Sequence, residues 1–328
     1  MAESRYLIDV QNLIKHFPLK QNLFRRTGIG SVIKAVDGVS FRIKKGNSLG
    51  IAGESGCGKT TTGKMVLRLL QPTGGRFLFK GEDVTHLKTK EERKAFRKQA
   101  QLMFQNPYEA LNPRFTIGRA IMEPLIIHDV GTASDRQQMV KNALERVNLT
   151  PVDFFMDKLP HQMSGGQLQR GVLARALVIK PSFLVADEPV SMLDVSVRAG
   201  VLNLMKELTV SLQLTTIYIS HDLSLIQYMC QETAIMYLGK VVELGPTVNV
   251  LNNPLHPYTK ALIAAVPVPD PDYEGEEVRI HSHVPNPVGL PPGCLFQNRC
   301  YLMDVDCQKK SPHLNEIEEG HFIACNKI

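Results

Sequence analysis

The stretch NSLGIAGESGCGKTTTGKMVLRLL, residues 47–70, joins a short apolar run to a helical pattern through a glycine-rich turn. Residues 49–52 form the apolar run, which predicts a buried strand that Gly53 ends. After Lys59 the apolar residues recur at helical spacing. The segment GESGCGKT between these elements matches the pattern G-x-x-x-x-G-K-[ST]. The sequence therefore predicts a strand, loop and helix of an α/β fold, with a phosphate-binding loop at 53–60.

The residue types of this loop each have a physical role in binding phosphate. Glycines let the backbone curl so that successive N–H groups converge on phosphate oxygens, and the helix N-terminus adds its positive dipole end. Lys59 would reach the β- and γ-phosphates of a nucleotide, and the Thr60 hydroxyl would bind Mg²⁺. Cys57 occupies a position where a small side chain suffices. The predicted nucleotide-binding residues of the loop are Gly53, Glu54, Ser55, Gly56, Cys57, Gly58, Lys59, Thr60 and Thr61.

Length and composition are those of an ordinary globular protein with a main domain and an appendage. The chain has 328 residues, of which 43% are hydrophobic and 21% charged. It shows neither a signal-peptide pattern nor a run of 18 apolar residues, so we expect a cytosolic protein without a spanning helix. The net charge is +6, but basic and acidic residues alternate in KTKEERKAFRKQ, residues 88–99. This pattern predicts the solvated face of a helix, and we expect no nucleic-acid partner.

Two carboxylates follow a second apolar run in PSFLVADEP, residues 181–189. Residues 183–186 predict a parallel core strand, and the carboxyl edge of such a sheet is where ligands bind. Asp187 there can hold Mg²⁺, and Glu188 can orient or deprotonate an attacking water. The alternative is a solvated acidic turn before Pro189.

A third motif, Ser164-Gly165-Gly166-Gln167, opens a stretch with helical spacing. Its physical chemistry fits either a second anion site or a helix N-cap, and the residues alone leave both open. Placed before the carboxylate strand, however, SGGQ resembles the signature motif of ABC-type ATPases, with Met163 where leucine is commoner.

The resemblance implies roles for residues that would be weak signals alone. Gln105 is similar to the glutamine that contacts Mg²⁺ and couples to a membrane partner. Asp194 ends SMLD, which resembles the D-loop, and His221 resembles the histidine that contacts the γ-phosphate. Phe17 is similar to the aromatic that stacks on adenine, with a structural core position as the alternative. The implied catalytic residues are Glu188 as base, His221 and Lys59.

Longer stretches narrow the resemblance to one group of ABC ATPases. QNPYEALNPRFTIG, residues 105–118, and NNPLHPYTKAL, residues 252–262, resemble ATP-binding subunits of dipeptide and oligopeptide importers, and lean toward the F-type paralogue. The resemblance implies the α/β fold of a P-loop ABC-type ATPase domain, which we place at residues 1–250. Within it we expect a helical subdomain at about residues 106–180.

The importer resemblance also implies partners and a location. The chain has one phosphate loop and one SGGQ, so the resemblance implies a dimer that sandwiches ATP. We expect a heterodimer with a D-type ATPase subunit in preference to a homodimer. Further expected partners are two transmembrane permease subunits and, through them, an extracytoplasmic substrate-binding protein. The chain would then sit peripherally on the cytoplasmic face of the cell membrane and power peptide import.

Rival functions are a non-transport ABC ATPase and a different P-loop enzyme. A mechanical clamp in translation or DNA repair usually carries two ATPase units or a long inserted arm, and neither is visible here. A kinase or GTPase is disfavoured because the sequence lacks a guanine-reading N-K-x-D motif.

The C-terminal region, residues 251–328, predicts a small loop-rich extension with a four-cysteine metal site. Prolines crowd the chain from about Pro267, and Cys294, Cys300, Cys307 and Cys325 are separated by five, six and seventeen residues. These gaps do not fit a zinc finger well, whereas a 4Fe–4S cluster tolerates wider spacing. Members of the resembled family carry a similar cysteine set, some with such a cluster. Zinc and free thiols are the alternatives, and we expect Cys230 to be a buried core residue.

Overall fold

The computed structural model describes residues 5–19, 32–266, 285 and 287–328 of the chain. The proline-rich stretch that begins near Pro267 lies outside the described residues as far as residue 284, and so does most of the stretch 18–32. The described residues form two compact units. The first comprises residues 1–43, 48–85 and 219–328, and the second comprises residues 44–47 and 86–218.

Twelve strands and twelve α-helices are defined within the described residues. The strands are β1 (Tyr6–Pro18), β2 (Val32–Lys44), β3 (Ser48–Ala52), β4 (Gly74–Phe79), β5 (Glu82–Asp83), β6 (Ala100–Met103), β7 (Phe183–Asp187), β8 (Thr215–Ile219), β9 (Glu232–Tyr237), β10 (Lys240–Pro246), β11 (Asn315–Glu318) and β12 (His321–Ile323). The helices are α1 (Lys59–Val66), α2 (Lys90–Gln99), α3 (Pro107–Ala110), α4 (Ile117–Ile127), α5 (Ala133–Arg146), α6 (Val152–Met156), α7 (Gly165–Leu177), α8 (Val195–Ser211), α9 (Leu223–Met229), α10 (Thr247–Asn252), α11 (Pro257–Ala264) and α12 (Val305–Lys309).

The first unit contains two sets of paired strands. One is a sheet of order β2-β1-β4-β5, in which β1 and β4 pair antiparallel with Ile8 opposite Phe79. The other runs in the order β11-β12-β10-β9-β3. Its strand β3 is buried along its whole length and pairs parallel with β9, as expected for an apolar strand covered on both faces. The phosphate loop follows directly from this buried strand.

The C-terminal residues contribute strands to that second set. Strand β12 pairs antiparallel with β10, and β11 pairs antiparallel with β12. We expected a loop-rich extension, and the described residues from 287 onward contain α12 and these two strands between irregular segments. The predicted domain boundary at 250 remains a prediction.

The second unit has three strands, in the order β8-β7-β6, and helices α2 to α8; the last residue of β8 belongs to the first unit. Strands β6 and β7 are parallel, with Met103 opposite Ala186. Helix α2 begins with a capping box of Thr89 and Glu92 and buries only Phe96, which confirms the solvated helix predicted at 88–99.

The predicted strands and core position are confirmed. The runs at 49–52, 183–186 and 216–219 lie in β3, β7 and β8, and Cys230 is buried directly after α9. In the described part of the chain, none of the helices has the length and apolar character needed to span a bilayer.

Candidate functional site

Three glycines of the phosphate loop have backbone conformations that disfavour any other residue. Gly53, Gly56 and Gly58 have φ angles of 144°, 79° and 108°. A Cβ atom on Gly53 would lie 2.2 Å from the Met236 carbonyl oxygen, and one on Gly58 would lie 2.2 Å from that of Ala35. Glycine is required here both for the positive φ and for the close approach of neighbouring backbone.

Lys59 begins helix α1 and is folded back onto the loop. Its Nζ donates hydrogen bonds to the carbonyl oxygens of Gly53 at 2.7 Å and Glu54 at 2.9 Å. The side chain is buried, and no side chain caps the first turn of α1. A buried ammonium group and an uncapped helix N-terminus at one glycine loop form an anion site, in which phosphate oxygens can replace the loop carbonyls as acceptors.

Cys57 packs inside the loop. Its Sγ would lie 2.9 Å from a Cβ placed on Gly53, and burial raises the pKa of its thiol. A raised pKa keeps the group protonated and weakly nucleophilic. This supports the prediction of a position filled by a small side chain.

Glu54 is held by two side chains from the C-terminal region, a contact that sequence patterns did not indicate. The Tyr258 hydroxyl accepts the Glu54 backbone N–H at 2.9 Å. Arg299 donates from Nη1 and Nη2 to the two carboxylate oxygens of Glu54, at 2.7 and 2.8 Å. Arg299 is only 6% exposed, and the hydrogen bonds to Glu54 raise the pKa of its guanidinium.

Aromatic rings enclose this ion pair. The ring centroids of Tyr237 and Tyr258 are 4.7 Å apart, and the Phe296 centroid lies 5.3 and 5.4 Å from them. The Arg299 guanidinium carbon lies 5.7 Å from the Tyr237 centroid and 5.8 Å from that of Phe296, within cation–π range. Packing against these rings restricts the orientation of the guanidinium.

A buried carboxylate anchors the turn that carries Tyr258. Glu243 on β10 is 0% exposed and accepts the backbone N–H groups of Leu255 and His256 at 2.9 and 3.0 Å. His321 Nε2 lies 2.8 Å from its Oε1 atom. His256 Nδ1 in turn accepts the Tyr258 backbone N–H at 3.0 Å, which caps α11. Burial lowers the pKa of His256 to about 4, so its imidazole is neutral at physiological pH.

Two residues of the first unit that we predicted to contact the nucleotide, His221 and Phe17, are both exposed. His221 is exposed and follows Ser220, whose N–H donates to the Ile51 carbonyl at 3.2 Å, so its segment runs beside the strand that leads into the loop. Phe17 is 37% exposed near the end of β1, with Lys15 Nζ 5.1 Å from its ring centroid. That exposure does not fit the alternative of a core position.

In the second unit the pairing of β6 with β7 brings the residues that we predicted to bind Mg²⁺ and to orient the attacking water to one edge of the sheet. Because Met103 is opposite Ala186, Gln105, two residues after β6, and Asp187, the last residue of β7, both lie at the carboxyl ends of neighbouring parallel strands. Glu188 has a φ of 48°, an uncommon conformation for a residue other than glycine. The Gln169 Nε2 atom donates to the Pro189 carbonyl at 2.5 Å and the Ser191 hydroxyl to that of Glu188 at 3.1 Å, which hold this turn.

The SGGQ motif begins helix α7. The Ser164 hydroxyl accepts the Gln167 N–H and the Gln167 side chain accepts the Ser164 N–H, so the helix N-cap is confirmed. A Cβ on Gly166 would lie 2.3 Å from Val197 Cγ1, and one on Gly165 would lie 3.3 Å from Leu193. Close packing against Val197 therefore requires a glycine at position 166. Anion binding by this motif remains a prediction. Asp194 is exposed at the start of α8.

The four C-terminal cysteines are free thiols near one another. Burial, and then the charges of Cys307, Cys300 and Cys325, raise the pKa of Cys294 to about 11. The Cys294 N–H donates to the Cys307 carbonyl at 2.7 Å. Among the described residues no group of three or more His, Cys, Asp or Glu side chains has an arrangement that could hold a metal ion. The described part of the structure therefore shows no preformed geometry for the predicted four-cysteine cluster, and the predicted Mg²⁺ ligands Thr60, Gln105 and Asp187 remain a prediction.

Comparison with known proteins identifies the family. The family model described as ABC transporter matches residues 36–191, and that described as Oligopeptide/dipeptide transporter, C-terminal region, matches residues 242–307. The oligopeptide transport ATP-binding protein AppF of Bacillus subtilis is 43% identical over 99% of this chain and 98% of its own length. The chain belongs to the ABC transporter ATP-binding proteins. It is therefore an ABC-type ATPase.

A further relative and a solved structure support the assignment of this chain to the ABC ATPases. The dipeptide transport ATP-binding protein DppF of Haemophilus influenzae is 43% identical over the whole of this chain and 98% of its own length. A solved dimeric structure of a bacterial ABC transporter cassette superposes with a TM-score of 0.64 and 26% identity, over 73% of this chain and 98% of that chain. Glu243, Tyr258 and Arg299 all lie in the range that the C-terminal family model matches.

Proposed function

We propose that this ABC ATPase powers the import of dipeptides, oligopeptides or related small solutes across the cytoplasmic membrane. The observation that carries the proposal is the presence of both family ranges in one chain, together with relatives of the same length whose names state oligopeptide or dipeptide transport. The chain would bind the cytoplasmic face of two transmembrane permease subunits, which receive solute from an extracytoplasmic binding protein.

The proposed ATP site uses the loop at 53–60 for the phosphates. Lys59 would exchange the carbonyls of Gly53 and Glu54 for phosphate oxygens and offset charge in the transition state. Phe17 would stack on adenine, since its ring is exposed. Thr60, Gln105 and Asp187 would hold Mg²⁺, which supplies charge neutralisation at the phosphates.

Glu188 is the proposed general base and His221 the proposed contact of the γ-phosphate. The turn that holds Glu188 in a left-handed conformation fixes where its carboxylate can point. Abstraction of a proton from water by Glu188 leaves hydroxide to attack phosphorus, and ADP leaves.

The working form that we propose is a dimer with a D-type ATPase subunit. Ser164, Gly165, Gly166 and Gln167 of one subunit, with Asp194, would contact the ATP held by the loop of the other. Binding of ATP would favour the closed dimer and hydrolysis the open one, which is a population shift between two states.

We also propose that Cys294, Cys300, Cys307 and Cys325 bind a 4Fe–4S cluster, with zinc as the alternative. The backbone N–H groups of Leu302 and Lys327 support it, because they donate to the sulfur atoms of Cys300 and Cys325 at 3.4 Å each and such donors stabilise thiolate ligands. The donor chemistry fits a thiolate-bound metal, which would supply a covalent link between irregular segments.

Peptide uptake in a strain that lacks the chromosomal copy tests the function. The parent chain should restore uptake, and Glu188→Gln should not, while purified Glu188→Gln still binds ATP. Glu145→Gln, an exposed glutamate on α5, is the matched control and should behave as the parent. Affinity purification from native membranes should recover two permeases and a second ATPase. Recovery of ribosomes or DNA-bound proteins, with normal peptide uptake in the deletion strain, would contradict the proposal.

Anaerobic purification tests the cluster. We expect broad absorbance at about 400 nm and bound iron in the parent, lost in Cys300→Ser and retained in the control Cys230→Ala. A colourless parent protein with stoichiometric zinc would establish the alternative.

A further inference from the structure

The second residue of the phosphate loop is fixed at three points. The Glu54 N–H is held by Tyr258, its carboxylate by Arg299, and its carbonyl oxygen by Lys59. Two of these partners, Tyr258 and Arg299, come from the C-terminal region, more than 200 positions away in the chain. Residues outside the ATP-binding motif therefore hold the backbone at the beginning of the loop in place.

The charge of Glu54 makes this contact more than a packing detail. A carboxylate within a loop that receives the phosphates of a nucleotide repels them, because like charges at short range disfavour binding. Arg299 offsets that charge through two parallel charge-assisted hydrogen bonds at 2.7 and 2.8 Å. Its burial and the contacts with Tyr237 and Phe296 keep the guanidinium in this one arrangement.

We propose that Arg299 is a positioning residue for nucleotide binding: it neutralises Glu54 and, with Tyr258, holds the start of the phosphate loop, so that the segment 294–307 sets the affinity of the loop for nucleotide. The inference rests on the proposed placement of nucleotide phosphates on this loop. Arg299 itself does not contact the nucleotide; it acts through Glu54.

Substitutions of the two residues in this ion pair should have opposite effects on nucleotide binding. Arg299→Gln leaves the Glu54 carboxylate without its counter-charge, so binding should weaken by about fivefold to tenfold. Glu54→Gln removes the repelling charge and leaves the guanidinium positive, so binding should be tighter. The double variant should return to within about threefold of the parent, and Arg299→Lys, which keeps the charge but not the bidentate geometry, should lie between the parent and Arg299→Gln.

The experiment is a calorimetric titration of the full-length chain with Mg·ADP, which binds without turnover, at low and at high salt. The weakening in Arg299→Gln should shrink at about 1 M salt, where charges are screened beyond roughly 3 Å. Arg76→Gln is the matched control, because Arg76 also pairs with a carboxylate, Asp83 at 3.1 Å, on an exposed part of the first unit. It should bind as the parent does. Melting temperatures of all variants identify any that fail to fold.

The outcomes separate the inference from the function on which it rests. A parent chain that does not bind Mg·ADP removes the proposed nucleotide site. A parent that binds, with Arg299→Gln binding within twofold of it, overturns the inference alone. If Arg299→Gln does not fold, Glu54→Gln decides: binding tighter than the parent supports the inference, and binding equal to or weaker than the parent overturns it, since a purely structural pair would gain no affinity from the loss of the carboxylate.

Discussion

Replacement of the buried Glu243 by glutamine should destabilise the whole first unit. The carboxylate is fully buried and accepts two backbone N–H groups, from Leu255 and His256, besides its contact with His321. In Glu243→Gln one oxygen becomes an NH₂ group, which cannot accept. Each oxygen accepts one backbone N–H, so whichever oxygen is replaced, one of the two backbone donors then faces a donor and loses its partner.

The size of the effect follows from these contacts. A buried donor left without a partner costs about 1–3 kcal/mol, and the remaining bonds weaken because a neutral amide oxygen replaces a charged one, by about 0.5–1.5 kcal/mol each. Relief of the cost of burying a carboxylate offsets part of this. We expect a net loss of about 2–4 kcal/mol in the free energy of unfolding.

Urea denaturation, followed by circular dichroism and tyrosine fluorescence, measures this loss, since the chain has no tryptophan. Glu318→Gln is the control, because that glutamate is exposed on β11, and it should change the free energy by less than about 0.5 kcal/mol. His321→Gln keeps a donor near the carboxylate and should cost less than Glu243→Gln. A Glu243→Gln protein as stable as Glu318→Gln would refute the reasoning.

Three further predictions concern single side chains. The folded-state pKa of His256 is about 4, against about 6.5 in an unfolded chain, so stability should be full above pH 6.5 and fall by up to about 3 kcal/mol as the pH drops toward 4. Urea midpoints measured across this range should show the slope in the parent and not in His256→Asn, whose amide oxygen can still cap α11. Gly58→Ala, with a Cβ 2.2 Å from a backbone oxygen, should abolish Mg·ADP binding or folding; normal affinity would contradict the loop geometry. Burial raises the pKa of Cys230, so iodoacetamide at pH 8 should label it at least about 100-fold more slowly than in urea, as peptide mass mapping would show.

Local patterns predicted the elements that carry the ATP-binding motifs. The strand before Gly53, the helix after Gly58 and the strand before Asp187 each follow from a short apolar run and its flanking residues, and all are present. The N-cap at Ser164 follows from a serine three positions before a glutamine. These features are set by neighbours in sequence, so the sequence alone was sufficient.

Contacts between distant positions gave no such signal. Arg299 and Glu54 are 245 positions apart, and His321 and Glu243 are 78 apart. No periodicity links an arginine among irregular segments to a glycine loop, because the pairing exists only after the chain has folded. For the same reason the composition of the C-terminal extension, residues 251–328, predicted a loop-rich module, although β11 and β12 lie there. Their order comes from pairing with β10, not from local propensity.

The pairing of β12 with β10 also has a consequence during synthesis, because the two strands are far apart in the chain. His321 follows Glu243 by 78 positions in the chain, so β10 and its buried carboxylate leave the ribosome before this partner does. Until then the edge of β10 is open to pairing with other strands. A nascent or prematurely terminated chain would expose this edge. In the finished protein it is covered, and β11, whose four residues NEIE are all exposed and half acidic, becomes the outermost strand.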